Sequence, residues 1–390
     1  MKVVIAGGGT GGHVYPGVTL ARTLLERDRA TKVLFVGTHK GLEADVVPRE
    51  GFDLATIEVA GFRRRLSMDT LLTAFRACRG FIQSVSVLRR EKPDVVVGTG
   101  GYVSGPVVLA AWVLGIPTLI HEQNALPGIT TRVLSRIATA VAVTYGESGR
   151  YLARRSQVVV TGNPVRRSIL TATRHDGARA MGLDEGRPTL LVFGGSQGAR
   201  AINEAMVAAL PGLLTRRRDL QVIHQTGRRD HAWVVAELEA RGVSRKTLPR
   251  LVVEPYLYQM DMAMACADLV VSRAGAISIA EITARGLPAV LVPLPGAAEG
   301  HQERNARALE AAGAAVVILQ KDLQGEVLRE VVETLLQDKP RLERMSHSSR
   351  SLGRPGAANT LADMVVGLAA RRRAAPRRHG RAMRPRRPQG

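Results

Sequence analysis

Apolar strands that run straight into glycines, with a hydroxyl or an imidazole among them, mark where this chain could handle phosphate. Val3-Val4-Ile5 leads into Gly7-Gly8-Gly9-Thr10-Gly11-Gly12-His13, and Leu190-Leu191-Val192-Phe193 leads into Gly194-Gly195-Ser196-Gln197-Gly198-Ala199. Without Cβ atoms, backbone N–H groups and a following helix N-terminus approach a phosphate closely, and a Thr or Ser hydroxyl adds a donor. Two such turns nearly two hundred residues apart predict two phosphate-binding units facing one cleft. That geometry suits the joining of a nucleotide-linked donor to a second, anionic substrate.

His13 closes the first turn. An unperturbed imidazole is partly neutral near pH 7, so it could act as a general base on a hydroxyl, or bind a diphosphate as a cation. Glu122, in His121-Glu122-Gln123-Asn124, is the alternative base. The chain has no Asp-x-Asp pair and no His/Asp/Glu cluster with metal spacing, so no metal is expected and pyrophosphate charge falls to helix N-termini and guanidinium groups. Arg166 and Arg273 each follow a strand end, where a guanidinium fork reaches phosphate oxygens; either could instead be a surface ion-pair member. Glu281 lies early in a helix opened by Ala276, Ile277 and Ser278, where a carboxylate suits two vicinal hydroxyls or the positive end of its own helix. Gln302 and Asn305, three apart at a helix start, can turn both amides to one sugar or be surface amides.

The elements that must hold these residues read as short Val/Ile/Leu strands alternating with helices. In the first half strands fall at 3–6, 32–36, 94–97, 118–121, 140–143 and 158–161; in the second at 189–193, 220–225, 251–253, 269–271, 289–292 and 315–319. This alternation predicts an α/β protein with two doubly wound parallel sheets, whose substrates bind at the carboxyl ends of the strands. At 390 residues there is room for two such cores. The boundaries predicted are 1–166, 167–353, a helix at 354–370 returning to the first unit, and a disordered Arg-rich tail at 371–390.

Composition narrows the function classes. Gly7, Gly9 and Gly12 satisfy G-x-G-x-x-G, yet the second strand ends Val36-Gly37-Thr38-His39, without the acid that holds a dinucleotide ribose. The net charge of +21 looks like a nucleic-acid signal, but the tail carries nine Arg and no acid, and removing those charges leaves +12. No aromatic stacking platform accompanies them, so no nucleic acid is expected. Cys78 and Cys266 fall in separate halves and define no disulfide framework. The chain enters a strand at once, without room for a signal peptide, and its longest apolar stretch, 106–120, is too short for a bilayer span; membrane contact should be peripheral. Arg63-Arg64-Arg65 followed by Leu66, Met68, Leu71, Leu72, Phe75, Phe81 and Ile82 could form an apolar helical face with a cationic rim for an anionic leaflet, or an ordinary helix packed on the sheet.

The order Gly8-Gly9-Thr10-Gly11-Gly12-His13, Gly100-Gly101-Tyr102-Val103-Ser104-Gly105-Pro106, His121-Glu122-Gln123-Asn124, Gly162-Asn163-Pro164-Val165-Arg166, Gly194 to Ala199 and Arg273-Ala274-Gly275-Ala276 closely resembles the MurG family from about residue 3 to 368. These are bacterial enzymes that move N-acetylglucosamine from UDP-N-acetylglucosamine to lipid I, an undecaprenyl-diphosphate-linked muramoyl pentapeptide, to make lipid II. The resemblance implies a GT-B fold without a cofactor, inverting transfer, and a peripheral site on the cytoplasmic face of the plasma membrane beside the cell-wall synthesis machinery.

It also implies roles. Leu257 backbone atoms would hold uracil, Glu281 the ribose, and Ser196 with the amides near Ala276, Ile277 and Ser278 the diphosphate, aided by Arg166 and Arg273. Gln302 and Asn305 would read the donor sugar, with Thr10, Gly11, Gly12 and Asn124 facing it from the first unit. Gly9, Thr10, His13, Gly101, Tyr102, His121, Glu122 and Asn124 would meet the lipid acceptor. The chain departs from the family at Leu257-Tyr258-Gln259-Met260, where a more acidic stretch is common, and in the sugar loop Glu299-Gly300-His301-Gln302.

Overall fold

A computed structural model describes residues 1–59, 69–153, 157–244, 248, 250–297 and 300–374, with the backbone alone for 69–77. The first unit runs β1 (Lys2–Gly7), α1 (Gly11–Arg27), β2 (Lys32–Gly37), α2 (Glu43–Arg49), β3 (Asp53–Thr56), α3 (Asp69–Glu91), β4 (Val95–Gly100), α4 (Gly101–Val113), β5 (Thr118–Glu122), α5 (Ile129–Leu134), β6 (Ala140–Val143) and β7 (Gln157–Val160). The crossing segment carries α6 (Arg167–Thr171) and α7 (Arg174–Met181). The second unit follows as β8 (Thr189–Phe193), α8 (Arg200–Arg216), β9 (Gln221–Gln225), α9 (His231–Ala240), β10 (Leu251–Glu254), α10 (Met260–Cys266), β11 (Leu269–Ser272), α11 (Ala276–Arg285), β12 (Ala289–Leu291), α12 (His301–Ala311) and β13 (Ala315–Val317). Helices α13 (Gly325–Gln337), α14 (Lys339–Leu352) and α15 (Ala357–Ala374) complete the chain.

The sheets are parallel, ordered β3-β2-β1-β4-β5-β6-β7 and β10-β9-β8-β11-β12-β13. Both faces of the inner strands are covered, so these read as continuous apolar runs rather than alternating ones, while the edge strand β7 is largely exposed. In β1, Val3 and Ile5 join a core with α1 and α15, while Val4 and Ala6 join another with α4. The one strand the sequence did not announce, β3, is the edge strand Asp-Leu-Ala-Thr, which lacks that run.

Each sheet reverses its winding at one point, between β1 and β4 in the first and between β8 and β11 in the second. Crevices open at such points beyond the carboxyl ends of the strands, and both glycine-rich turns sit there. A register shift between Ala6 and Gly7, paired with Gly98 and Gly100, leaves Thr99 outside the ladder.

Helix α15 packs on the first sheet through Leu361, Ala362, Val365, Leu368 and Ala369, although it follows the second sheet in sequence. Arg27 of α1 fixes it by an ion pair to Asp363 (2.5 Å) and a hydrogen bond to Asn359 Oδ1 (2.9 Å). The helix runs past residue 370, where the sequence placed the start of a disordered tail. Arg372 donates to Pro93 O (2.6 Å) and Arg373 pairs with Asp94 (2.7 Å), so acceptors at the foot of β4 extend it. Residues 375–390 lie outside the described residues.

Candidate active site

Between the two sheets lies a cavity of 260 Å³. Gly11, Gly12 and Tyr15 of α1 line one side; Ser196, Leu257, Ala276, Ile277, Ser278 and Glu281 line the other, with Arg166 at the crossing. The N-terminus of α11 opens onto it from Gly275, an N-cap without a side-chain bond, so the first-turn amides are left for a ligand. Gly286, at φ 68°, ends this helix in the left-handed conformation.

Glu281 is buried and accepts from Arg166 Nη2 (3.0 Å) and Nε (3.2 Å), both on Oε1, which leaves Oε2 for a further donor. Burial pushes this carboxyl up, with the Arg166 guanidinium pulling against it. Arg166 therefore meets a phosphate, if at all, while tied to the ribose candidate. Gln225 ties the Leu257 loop to the second glycine-rich turn: its Oε1 accepts from Leu257 N (3.0 Å) and its Nε2 donates to Gly195 O (2.9 Å). The Tyr15 hydroxyl, hydrogen-bonded to Tyr256 across the cleft, has its pKa raised chiefly by burial.

On the acceptor side a chain of imidazole and amide groups orients His13. Buried His121 donates from Nε2 to Gly162 O (3.0 Å), so its Nδ1 accepts from Gln123 Nε2 (3.1 Å). Gln123 Nε2 also donates to Thr99 O (2.6 Å), the carbonyl freed by the register shift. His13 Nδ1 then donates to Thr99 O (3.2 Å) and Gln123 Oε1 (3.3 Å), a tautomer assigned from these partners that leaves the lone pair on Nε2. Burial lowers the pKa of His13, against the charges of Glu122 and Glu43, and burial lowers that of His121 too. Gly100, at φ 107°, leaves room for the ring: a Cβ there would lie 2.4 Å from His13 Nδ1. Tyr102 covers Gly9 in the same way, 3.1 Å from where a Cβ would stand.

Several sequence-predicted residues stand elsewhere. Arg273 is buried with its fork turned to Val292 O, Pro293 O and Gln320 Oε1, bracing the loop after β12 rather than lining the cavity. Gln302 accepts from Leu294 N (3.0 Å). Asn305 is fully buried and bridges the units, accepting from Ala125 N (3.1 Å) and donating to Asn124 Oδ1 (3.4 Å) and Ala274 O (3.4 Å). Glu122, the alternative base, has both oxygens engaged, by Asn124 N (3.0 Å), Asn124 Nδ2 (3.3 Å) and Gly128 N (3.1 Å), which shapes the 124–128 loop. His121 lies beneath the site rather than facing an acceptor. Thr10 is exposed with no cap bond, and Gly101 approaches Gly8 O so closely that a Cβ would lie 2.3 Å from it. Tyr15, Gln225, Tyr256 and Glu43 were not singled out from sequence. Gln225, last residue of a predicted strand at a carboxyl end, had a readable signal; Glu43 had none.

Models of the glycosyltransferase family 28 N-terminal and C-terminal domains match residues 3–143 and 189–361. With two parallel sheets facing one cleft, the chain is a glycosyltransferase of the GT-B fold. It is 47% identical over 367 residues to the UDP-N-acetylglucosamine–N-acetylmuramyl-(pentapeptide) pyrophosphoryl-undecaprenol N-acetylglucosamine transferase of Halothermothrix orenii, covering 94% of this chain and 98% of that one. The crystal structure of Acinetobacter baumannii MurG superposes with a TM-score of 0.73 at 31% identity, covering 94% and 99% of the two chains. The chain belongs to this transferase family. A UDP-N-acetylglucosamine 2-epimerase from Neisseria meningitidis shares the fold alone, with a TM-score of 0.68 at 14% identity over 94% of this chain and all of that one.

Proposed function

We propose that the chain transfers N-acetylglucosamine from UDP-N-acetylglucosamine, with inversion, to the muramoyl 4-hydroxyl of lipid I, giving lipid II. The observation that carries this reading is the cavity between the N-termini of α1 and α11, with His13 following its Gly12 wall and donating from Nδ1, so that Nε2 is the ring's basic nitrogen. Uracil meets the Leu257 carbonyl, ribose meets Glu281, and the diphosphate meets the Ile277 and Ser278 amides with Ser196. His13 Nε2 takes the acceptor hydroxyl proton as the new O–C1 bond forms and the bond from C1 to UDP breaks. Negative charge growing on the leaving diphosphate falls at the positive end of α11. Radiolabelled UDP-N-acetylglucosamine with a short-chain lipid I analogue tests this: the expected product is the labelled disaccharide lipid. Release of UDP without transfer, or epimerised donor, would refute it.

No helix among the described residues is long and apolar enough to cross a membrane. The acceptor's polyprenyl chain therefore has to be met at a surface. The predicted contact Leu72 and Phe75 lie outside the described side chains, as do 63–68 entirely, and Phe81 packs against the core instead of facing out. Exposed apolar residues continue across three neighbouring helices, Ile82 on α3, Leu109, Trp112 and Val113 on α4, and Ile129 and Val133 on α5, beside Arg132 and Arg136. This wider face is the proposed membrane contact, since apolar insertion with a cationic rim suits an anionic leaflet.

A further inference from the structure

The two glycine-rich turns differ in one buried group. Behind the first, Glu43 at the start of α2 is fully buried. Its Oε2 accepts from Gly9 N (2.9 Å), and its Oε1 accepts from Thr38 N (2.9 Å) and Thr38 Oγ1 (2.8 Å). Three glycines wrap the side chain: a Cβ on Gly8, Gly37 or Gly41 would lie 2.5, 2.4 or 2.1 Å from its atoms. Among the described residues no Lys or Arg pairs with it, so backbone and hydroxyl donors alone hold the carboxylate. Behind the second turn, Gly195 O accepts from Gly198 N and Gln225 Nε2, and no carboxylate among the described residues accepts from that turn's amides.

We propose that Glu43 is a positioning residue that fills the anion nest of the first glycine-rich turn from inside the protein. That turn then orients His13 and does not bind substrate phosphate at Gly9. The second turn stays open for the donor diphosphate. Resting on the transferase reading above, this excludes the acceptor diphosphate from Gly9, whose amide is taken and whose neighbour is a carboxylate. A carboxylate in this place also adds to the field at His13, which is faced by Glu122 and Gln123 from the β5 end, Thr99 from β4, Glu43 from α2 and His121 beneath.

The test compares full-length wild type with Glu43→Gln, Glu43→Asp and Thr38→Val. UDP affinity is read by calorimetry, and kcat, acceptor KM and the pH profile with a short-chain lipid I analogue. Glutamine keeps the shape but cannot accept from both Gly9 and Thr38. The expected result is UDP affinity within about twofold of wild type and kcat lowered about 10²-fold, the cost of a base displaced by about 1 Å. The acid limb should move to lower pH in Glu43→Gln, because a negative charge that raises the His13 pKa is gone, and stay in place in Glu43→Asp. Should Glu43→Gln fail to fold, Thr38→Val decides: lowered kcat with intact UDP affinity supports the proposal. Wild-type kcat and acid limb in the variants would overturn it, as would parallel loss of UDP affinity and kcat in folded protein. An inactive wild type would instead sink the transferase reading.

Discussion

Removing Arg166 should harm the fold more than removing its partner does. The Arg166 side chain is 38% exposed and that of Glu281 only 8%, so the two truncations leave different debris. Arg166→Ala strands a carboxylate that is largely buried at the cavity wall. Breaking a fully buried pair costs about 3–5 kcal/mol, and the partial exposure of Arg166 reduces this to about 1–3 kcal/mol. Glu281→Ala leaves a guanidinium that can turn to solvent, at a cost below about 1 kcal/mol. The double variant should resemble Glu281→Ala, because the stranded charge is gone. Urea unfolding of all four proteins without nucleotide, compared at constant m, measures the asymmetry and the coupling. A pH series adds a sign. Without Arg166, nothing opposes the upward push of burial on Glu281, so its folded pKa stands above the unfolded value of about 4.3. A group raised in this way destabilises the fold once ionised, so the deficit of Arg166→Ala should grow as pH rises above about 4.3 and shrink below it. Equal midpoints for the two single variants would refute the reasoning, and with it the view that this pair is a buried charge held for the ribose.

Three further outcomes follow from the same geometry. Gln225→Ala should weaken UDP binding about tenfold by calorimetry while leaving acceptor KM unchanged, because it frees both Gly195 O and Leu257 N. His224, buried with its Nε2 on Asn203 and its pKa lowered to about 4, stays neutral in the fold and protonates on unfolding. Stability should therefore rise with pH between about 4 and 6.5, by about 3 kcal/mol across that window, as read by denaturant midpoints in a buffer series. Trp112→Glu with Val133→Glu should abolish co-sedimentation with anionic vesicles yet leave UDP affinity unchanged, whereas truncation after residue 374 should preserve sedimentation at physiological salt.

The sheets were legible because their strands are written as unbroken Val/Ile/Leu runs, in the inner strands because both faces are buried; the edge strand β7 keeps the apolar run although most of it is exposed. All six strands expected in the second half are present, and in the first only the half-buried edge strand β3 escaped. Site residues that act through their own loop were legible too: Ser196, Ile277 and Ser278 line the cavity because a glycine turn or helix start delivers them there. Residues that act through their side-chain reach were not. Arg273 has the right type and strand end, but carbonyls of the neighbouring β12 loop and Gln320 compete for its fork. Asn305 has the right helix, but an amide from the other unit, 180 residues away, takes its oxygen.

The same limit explains why the two glycine turns look alike in text and differ in structure. A glycine signals only that something must come close, and the partner can be a ligand, a ring or a carboxylate. At Gly198 the near atom is the Thr226 carbonyl, at Gly100 it is the His13 ring, and at Gly8 and Gly41 it is Glu43. Glu43 stands 34 residues beyond Gly9 with an ordinary polar neighbourhood in sequence, and only the parallel pairing of β1 with β2 carries α2 beneath the turn. In the first turn the Gly9 amide is thereby already taken by Glu43, whereas among the described residues no carboxylate accepts from the amides of the second. On the proposed reading, the two sides of the cleft differ because a buried carboxylate stands behind one of two nearly identical loops and, among the described residues, behind the other there is none.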